Sequence, residues 1–301
     1  MNDTPNAIEV EQLVHKYRTA DAVNGLSLTV RAGRCYGLFG PNGAGKTTTI
    51  RCLLSLLRPT SGTVRIFGMD PEKEEVAVKS RVGYVPEVSA FYPWMTARGV
   101  LDYTASFYQT WSQEIELDLL KSLDLDQKTK VSAMSKGTKT KLSLICAIAP
   151  QPNLLLLDEP TGGLDPIVRR ELIQTVIGMY QDRDPENHTI FVATHMLHEF
   201  EGLVDEFTIL NEGQELLTLK TEEARTCYKK IRMRFEGNPP DFQEDGIIRV
   251  TRDGREMEIL TSDFSEQLMA RLKSLSPEDI QTENLPLEEL FIGVVQKGGK
   301  K

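Results

Sequence analysis

A glycine-rich stretch that begins at residue 40 constrains this chain more than any other feature. Its residues are Gly40, Pro41, Asn42, Gly43, Ala44, Gly45, Lys46, Thr47 and Thr48. They fit the phosphate-binding pattern G-x-x-x-x-G-K-[ST]. The apolar run Cys35–Phe39 predicts a short buried strand before the loop, and apolar spacing predicts a helix over residues 47–57 after it. A strand, a glycine-rich loop and a helix in this order are the setting in which such a loop binds phosphate.

The loop carries the groups that bind a nucleoside triphosphate. Its glycines let successive backbone N–H groups turn toward phosphate oxygens, and the N-terminus of the following helix adds a partial positive charge. We expect Lys46 to reach the β- and γ-phosphates and the Thr47 hydroxyl to hold Mg²⁺. The alternative is a glycine-rich turn before an ordinary helix, but the four fixed positions arise by chance in only about one per cent of chains this long.

Composition narrows the class of protein. The chain has 301 residues, enough for one large domain or for one domain with an appendage. Its net charge of −9 argues against general nucleic-acid binding, which requires a basic surface. The longest apolar runs, Leu142–Ala149 and Leu154–Leu157, are far shorter than a membrane span. We therefore expect a soluble chain that works at a membrane only when another protein brings it there.

Strand and helix patterns alternate from residue 35 to about residue 210, which predicts an α/β fold with a mainly parallel sheet and helices on both faces. In such sheets, ligands bind at the carboxyl ends of the strands. Gly40, Glu87, Asp158 and His195 each come just after a predicted strand. We therefore expect these residues to lie along one edge of the sheet.

Two adjacent carboxylates follow the most apolar of these strands. Asp158 is expected near a metal ion, and Glu159 is expected to face the γ-phosphate as the general base for an attacking water. The alternative is that both acids cap a helix near Pro160, although burying unpaired carboxylates costs several kcal/mol. His195 is a candidate for contacting the γ-phosphate or orienting Glu159, whereas a lone histidine at a strand end is more often structural.

Two further segments differ from this pattern. Residues from about 88 to 150 are interpreted as a mostly helical insertion within a nucleotide-binding domain of residues 1–215. Aromatic residues crowd the insertion and are expected to form its core, but those on the loop Phe91–Trp94 equally suit a docking surface. Residues 220–301 are interpreted as a small α+β appendage with strands at 231–235, 247–251 and 257–260.

The order of these motifs resembles the nucleotide-binding subunit of ATP-binding cassette (ABC) transporters over roughly Ile8–Gly213. The glycine-rich loop is similar to the Walker A motif of that family. Leu154–Glu159 is similar to Walker B with its catalytic glutamate, and His195 to the switch histidine. The resemblance implies a phosphate-loop NTPase core of the RecA-like type, with an antiparallel β subdomain, a helical insertion and, here, a small C-terminal α+β domain.

The resemblance also implies roles for residues outside the loop. Tyr17 matches the adenine-stacking aromatic of the family, although an isolated tyrosine beside a strand is usually a packing residue. Ser135 and Gly137 fall in the family signature, where they contact the γ-phosphate held by the opposite subunit. Asp165 lies in the segment that is similar to the D-loop. The implied ligands are ATP and Mg²⁺, with Thr47, Glu87 and Asp158 as candidate metal ligands.

Two departures from the family pattern bear on activity. Glu87 stands where the family usually has glutamine, and its negative charge is expected to slow turnover or change the metal preference. Lys136 and Thr138 replace a glycine and a glutamine of the signature. Lys136 is expected to compensate through its positive charge.

The resemblance implies partners as well. The chain has one copy of each motif, so it is expected to pair head to tail as a homodimer or as a heterodimer with another ABC ATPase subunit. The signature and the ending Leu287–Phe291 are similar to the exporter-type branch, in which a separate integral-membrane permease holds the ATPase at the cytoplasmic face of the cell membrane. The alternatives are a soluble ABC-type switch in regulation or assembly and a small-molecule kinase, which would leave the signature and His195 unexplained.

Overall fold

The computed structural model describes residues 5–18, 20–181 and 188–298. They form two compact units. The first contains the residues up to Val204 together with Leu210–Glu215, and the second contains Asp205–Ile209 together with the residues from Leu216 onward. None of the helices in the described ranges combines the length and the apolarity that crossing a bilayer requires.

Strands and helices alternate along much of the chain. The strands are β1 (Asn6–Lys16), β2 (Asp21–Arg31), β3 (Cys35–Phe39), β4 (Ser61–Ile66), β5 (Val82–Val85), β6 (Leu154–Asp158), β7 (Thr189–Thr194), β8 (Glu206–Asn211), β9 (Gln214–Lys220), β10 (Lys229–Arg234), β11 (Ile247–Asp253), β12 (Glu256–Thr261) and β13 (Asp279–Asn284). The helices are α1 (Lys46–Leu53), α2 (Glu75–Lys79), α3 (Ala97–Ala105), α4 (Gln113–Ser122), α5 (Lys136–Ile148), α6 (Pro166–Gln181), α7 (Leu197–Phe200), α8 (Thr221–Cys227), α9 (Glu266–Ser274) and α10 (Leu287–Gly298), and Val131–Ala133 is a 3₁₀ turn.

A parallel sheet in the first unit brings the predicted site residues to one edge. Strands β5, β6, β7 and β3 are neighbours in that order. Phe39 is opposite Thr194, and Asp158 is opposite Ala193, so three strands end at the same level. All five residues of β6 are buried, as expected of a strand that is covered on both faces. The predicted common edge of the sheet is confirmed.

An antiparallel sheet of β2, β1 and β4 forms a second layer of the first unit. Leu13 pairs with Leu26 and Val14 pairs with Asn24, which leaves Gly25 without a partner residue in the ladder. Gly25 has a φ of +79°, a conformation that glycine adopts without strain. It therefore forms a β-bulge of the kind that glycine-containing strands favour. Apolar side chains of both sheets and of α1 share one core.

Helix α1 is shorter than predicted. It begins at Lys46 and ends at Leu53, whereas the apolar spacing extends to Leu57. Ser55 has a φ of +55°, which turns the backbone out of the helical path. Apolar spacing does not register such a break because the residues beyond it still pack on the core, as Leu57 does.

The aromatic cluster does not form the core of the helical insertion, and that expectation is wrong. Trp94 is 70% exposed and Phe107 is 68% exposed, and Tyr92 stacks on Trp94 at the surface. The buried side chains of the insertion are aliphatic instead. They include Val100, Leu101, Ile115, Leu119, Leu142 and Ile145. On α3, the spacing of Ala97, Val100 and Leu101 turns the aliphatic face inward and leaves Tyr103 outside.

The second unit contains an antiparallel sheet in the order β11, β12, β10, β13. Ile231, Met233 and Ile259 pack with Leu268 and Leu272 of α9 in its core. The three predicted strands are confirmed, with ends shifted by a few residues. Sequence patterns missed β13, because this edge strand is polar and Ile280 is its one partly buried residue.

Substitution of the buried Leu156 tests the packing of the first unit. Leu156 is fully buried in β6, whereas Leu117 on α4 is 57% exposed. We expect Leu156→Ala to lower the free energy of unfolding by about 2–5 kcal/mol, because it leaves a cavity in the core. Leu117→Ala, the same change at the surface, is expected to alter it by less than about 0.5 kcal/mol.

Denaturant unfolding followed by tryptophan fluorescence measures this difference. Both tryptophans of the chain, Trp94 and Trp111, lie in the first unit, so the signal reports on that unit. Equal midpoints for the two alanine variants would show that the parallel sheet is not packed as described.

Candidate functional site

Close packing requires glycine at two positions of the phosphate loop. A Cβ atom on Gly40 would lie 2.3 Å from the carbonyl oxygen of Leu210, and one on Gly45 would lie 2.3 Å from that of Ala22. Gly45 also has a φ of +107°, which side chains rarely tolerate. The loop therefore curves tightly between β3 and the first residue of α1, with its backbone turned around the Lys46 side chain.

Lys46 is the cation at the centre of the site. Its side chain is 5% exposed, and its Nζ donates hydrogen bonds to the carbonyl oxygens of Gly40 (2.8 Å) and Pro41 (3.1 Å). The same Nζ lies 2.9 Å from Oε1 of Glu159, whose side chain is 7% exposed. This buried ion pair compensates a charge that would otherwise be costly to bury.

Asp158 joins the last residue of β6 to the phosphate loop. It is 1% exposed, and its Oδ1 accepts a hydrogen bond from the Thr47 hydroxyl at 2.9 Å. Burial raises the pKa of Asp158 to about 6, the Thr47 hydrogen bond opposes that rise, and the charges of Glu159 and Glu87 add to it. The Tyr84 hydroxyl lies 3.5 Å from Oδ2, and its own pKa is raised mainly by burial.

Two neighbouring side chains restrain the carboxylate of Glu159. Its Oε2 accepts a hydrogen bond from the Thr194 hydroxyl at 3.0 Å and lies 2.9 Å from Nδ1 of His195. Its backbone φ is +46°, an uncommon conformation for glutamate that costs about 1–2 kcal/mol. Strain of this kind concentrates at functional sites. Sequence reasoning missed Thr194, although its position next to His195 at a strand end is the signal that would have found it.

The donor set fits a magnesium ion. The Thr47 hydroxyl and the Asp158 carboxylate are hard oxygen donors at the phosphate loop, and Mg²⁺ prefers such donors together with water and substrate phosphates. Across the described ranges, no group of three or more histidine, cysteine or acidic side chains is arranged to hold a metal. Glu87 is exposed, and its charge acts on the Asp158 carboxylate. Its role as a metal ligand stays a prediction.

The remaining predicted residues have partners outside the Lys46–Glu159 pair. Tyr17 is 44% exposed and packs edge-to-face on His15, with ring centroids 4.8 Å apart. Ser135 caps α5, because its hydroxyl accepts a hydrogen bond from the Thr138 amide at 3.1 Å. A Cβ on Gly137 would lie 3.2 Å from the Val168 side chain.

Asp165 has a local partner as well. Its Oδ1 accepts hydrogen bonds from the backbone amides of Ile167 and Val168, both at 3.1 Å. It therefore caps the N-terminus of α6, as the sequence pattern of Asp165 and Pro166 indicates. Among the described residues, no hydrogen bond joins Tyr17, Ser135 or Asp165 to the phosphate loop.

The fold and the site define a phosphate-loop NTPase, and comparison with known proteins identifies the family. Residues 23–162 match the family described as ABC transporter. The bacitracin transport ATP-binding protein BcrA of Bacillus licheniformis is 33% identical over 97% of this chain and 98% of its own length. The chain therefore belongs to the ATP-binding proteins of ABC transporters, and it is an ATPase subunit of that family.

Two further comparisons support the same family. The Nod factor export ATP-binding protein I of Burkholderia lata is 37% identical over 64% of each chain. A solved structure of the ATP-binding subunit of an ABC transporter is 27% identical, with a TM-score of 0.65 over 73% of this chain and 92% of that one. The RecA-like core, the antiparallel subdomain and the helical insertion predicted from the motifs therefore agree with known relatives.

The raised pKa of Asp158 predicts a pH-dependent stability difference. Between its usual value of 3.8 and about 6, the folded chain binds the Asp158 proton more tightly than the unfolded chain does, so this carboxyl lowers stability as the pH rises through that range. Asp158→Asn keeps an acceptor for Thr47 and removes the charge. We expect this variant to be more stable than the wild type by about 3 kcal/mol at pH 7, and to lose the advantage near pH 4.

Denaturant unfolding with a chelator and without nucleotide, repeated from pH 4 to pH 7, measures this difference. Each titration compares the variant with the wild type at the same pH, so the effects of titrating groups that do not interact with Asp158 cancel. A stability difference that stays constant over this range would show that Asp158 is not held in the desolvated site described here.

Proposed function

We propose that the chain hydrolyses ATP by using Lys46 and the phosphate loop to hold the triphosphate and Glu159 as the general base. The observation that carries this proposal is the convergence of Lys46, Glu159 and His195 within hydrogen-bond distances at one sheet edge. A triphosphate bound in the loop would compete with Glu159 for the Lys46 ammonium group. Glu159 would then be freed to accept a proton from the attacking water.

Neighbouring residues position this base. The Thr194 hydroxyl and His195 both contact Oε2 of Glu159, so they restrict the rotation of its carboxylate. Restricting the base in this way places its oxygen where the water is aligned for in-line attack. Thr47 and Asp158 would hold Mg²⁺, which neutralises the charge on the phosphate oxygens when it is bound.

We further propose that the complete ATP site forms between two chains. Ser135, Gly137 and Asp165 are exposed or half-buried and make no hydrogen bond to the phosphate loop of their own chain among the described residues. They are therefore available to the ATP of a second chain, with Tyr17 stacking on adenine on the Walker A side. The chain carries both Glu159 and His195, so a homodimer would have two working ATP sites. A heterodimer would need only one working ATP site.

The departures from the family pattern adjust this site. Glu87 adds a third carboxylate whose charge acts on Asp158, whereas the ammonium group of Lys46 directly contacts only Glu159. A glutamine at that position would add no charge. We therefore propose that Glu87 strengthens the requirement for a divalent cation and slows turnover.

Transport by export through a separate permease is the proposed cellular role. The relatives described above are named for bacitracin transport and Nod factor export, and they do not favour the soluble-switch alternative. A groove of about 340 Å³ lies beside the helical insertion in the first unit. Its lining includes Leu56, Tyr84, Phe91, Tyr108 and Cys146. With the exposed Trp94 nearby in sequence, this surface suits an apolar segment of a permease at the cytoplasmic face of the membrane.

The general base is tested by Glu159→Gln. This variant keeps the size of the side chain but cannot accept the proton, so we expect kcat for ATP hydrolysis to fall by about 10²–10⁴-fold while ATP still binds. Steady-state ATPase assays and equilibrium ATP binding measure the two effects. The matched control is Glu114→Gln, which makes the same change at an exposed position on α4. Unchanged turnover in Glu159→Gln would exclude this residue as the base.

The permease surface is tested by affinity purification from solubilised membranes. The wild-type chain is expected to co-purify with a multi-span membrane protein, and Trp94→Ser is expected to weaken that association because exposed aromatics often dominate docking energy. Leu117→Ser serves as the control, since Leu117 is exposed elsewhere on the insertion. Recovery of a soluble partner alone would favour a regulatory role.

A further inference from the structure

An ion pair with a buried carboxylate lies outside the ATP-binding loop, and within the described ranges its charged groups make no hydrogen bond to the residues proposed to bind ATP. Arg169 lies in the first turn of α6, and Glu199 lies in the short helix α7. Nη1 of Arg169 is 2.6 Å from Oε1 of Glu199, and the Glu199 side chain is 3% exposed. Both carboxylate oxygens of Glu199 are shielded from solvent without a well-oriented hydrogen bond. Such a pair contributes little net stability, because the cost of desolvating the Glu199 carboxylate offsets its attraction to the half-buried Arg169.

The second arm of the Arg169 guanidinium has a different partner. Its Nη2 donates a hydrogen bond to the carbonyl oxygen of Leu164 at 3.2 Å. Leu164 belongs to the turn that connects Glu159 to α6, and Gly162 in that turn hydrogen-bonds back to the Glu159 carbonyl at 3.1 Å. Arg169 therefore links the backbone that follows Glu159 to the carboxylate of Glu199.

Glu199 is connected in turn to His195. The Glu199 amide donates to the carbonyl oxygen of Met196 at 3.3 Å, and the Met196 amide donates to the Thr194 hydroxyl at 3.0 Å. His195, between those two residues, contacts Glu159 through Nδ1. The contacts thus form a closed path that runs from Glu159 through the following turn, Arg169 and Glu199 back to His195 and Glu159.

We propose that Arg169 and Glu199 are positioning residues. They hold together the backbone segments that follow Glu159 and His195, and so keep these two side chains in contact. Nη2 of Arg169 binds the turn after Glu159, and Nη1 binds the helix after His195. Neither residue touches the phosphate loop, so the pair acts through the backbone segments on either side of the base. Its effect on hydrolysis rests on the proposed function, whereas its effect on the two segments does not.

Hydrogen exchange of the full-length chain without nucleotide tests the mechanical part of this role. Glu199→Gln leaves the turn of residues 160–165 untouched but weakens its link to α7. We expect amides in residues 161–168 and 195–200 to exchange about tenfold faster in this variant. Arg169→Lys is expected to have the same effect, because one ammonium group cannot reproduce a fork with two separate partners. Arg170→Lys, the same change at the adjacent exposed position, is the control.

The outcomes separate the proposal from a purely structural role. A general loss of stability would speed exchange in the other strands of the first unit as much as in the two segments, and that result would overturn the proposal. Unchanged exchange in residues 161–168 of Glu199→Gln would also overturn it. If the single variants fold poorly, Arg169→Met combined with Glu199→Met replaces the pair by apolar side chains. That double variant is expected to fold and still show fast exchange at residues 161–168.

Kinetics supply the second readout. In variants with faster local exchange, we expect kcat to fall about tenfold while KM for ATP changes much less, because Lys46 and the phosphate loop lie outside the loosened segments. Wild-type kcat in those variants would show that the pair does not position the base. Absence of ATPase activity in the wild type would instead refute the proposed function, and the exchange result would still decide whether the pair holds the two segments together.

Discussion

The register of the parallel strands is the constraint on which the site depends. Because Phe39 lies opposite Thr194 and Asp158 lies opposite Ala193, the residues that follow each strand emerge at the same level of one sheet edge. Backbone pairing and a fully buried β6 hold that register, and the side-chain contacts of the site form on top of it. A slip of one residue would turn Asp158 to the other face of the sheet, away from Thr47.

The carboxylates at this edge of the sheet outnumber the cations that contact them. Three carboxylates act on the region, from Glu87, Asp158 and Glu159, and the ammonium group of Lys46 contacts the last of these directly. Burial, and to a smaller extent the neighbouring negative charges, raise the pKa of Asp158 to about 6. A divalent cation would relieve the excess negative charge, and the γ-phosphate would compete for Lys46. The electrostatics of the protein and of its substrate are therefore linked at a single lysine.

Sequence patterns succeeded where one local signal decided the structure. The phosphate loop, the strands β3, β5 and β7 and the cap at Asp165 all follow from spacing, apolar runs and turn chemistry. They failed where packing chose between alternatives. The aromatic residues of the insertion suit a core as well as a surface. In the structure, the aliphatic face of α3 is buried and large aromatic side chains such as Trp94 and Phe107 are exposed. Helix α1 ends at Leu53 because of a backbone conformation at Ser55, which apolar spacing does not register.

The sequence by itself determined the class of site, since the loop from Gly40 to Thr48 and the pair Asp158-Glu159 require only neighbours along the chain to be recognised. Tertiary structure alone decided which distant groups meet that site. Thr194 reaches Glu159, and Arg169 reaches both Leu164 and Glu199, across separations that no local pattern encodes. The physical reason is that hydrogen bonds and ion pairs act over a few ångströms, so their partners are defined only after the sheet has set its register.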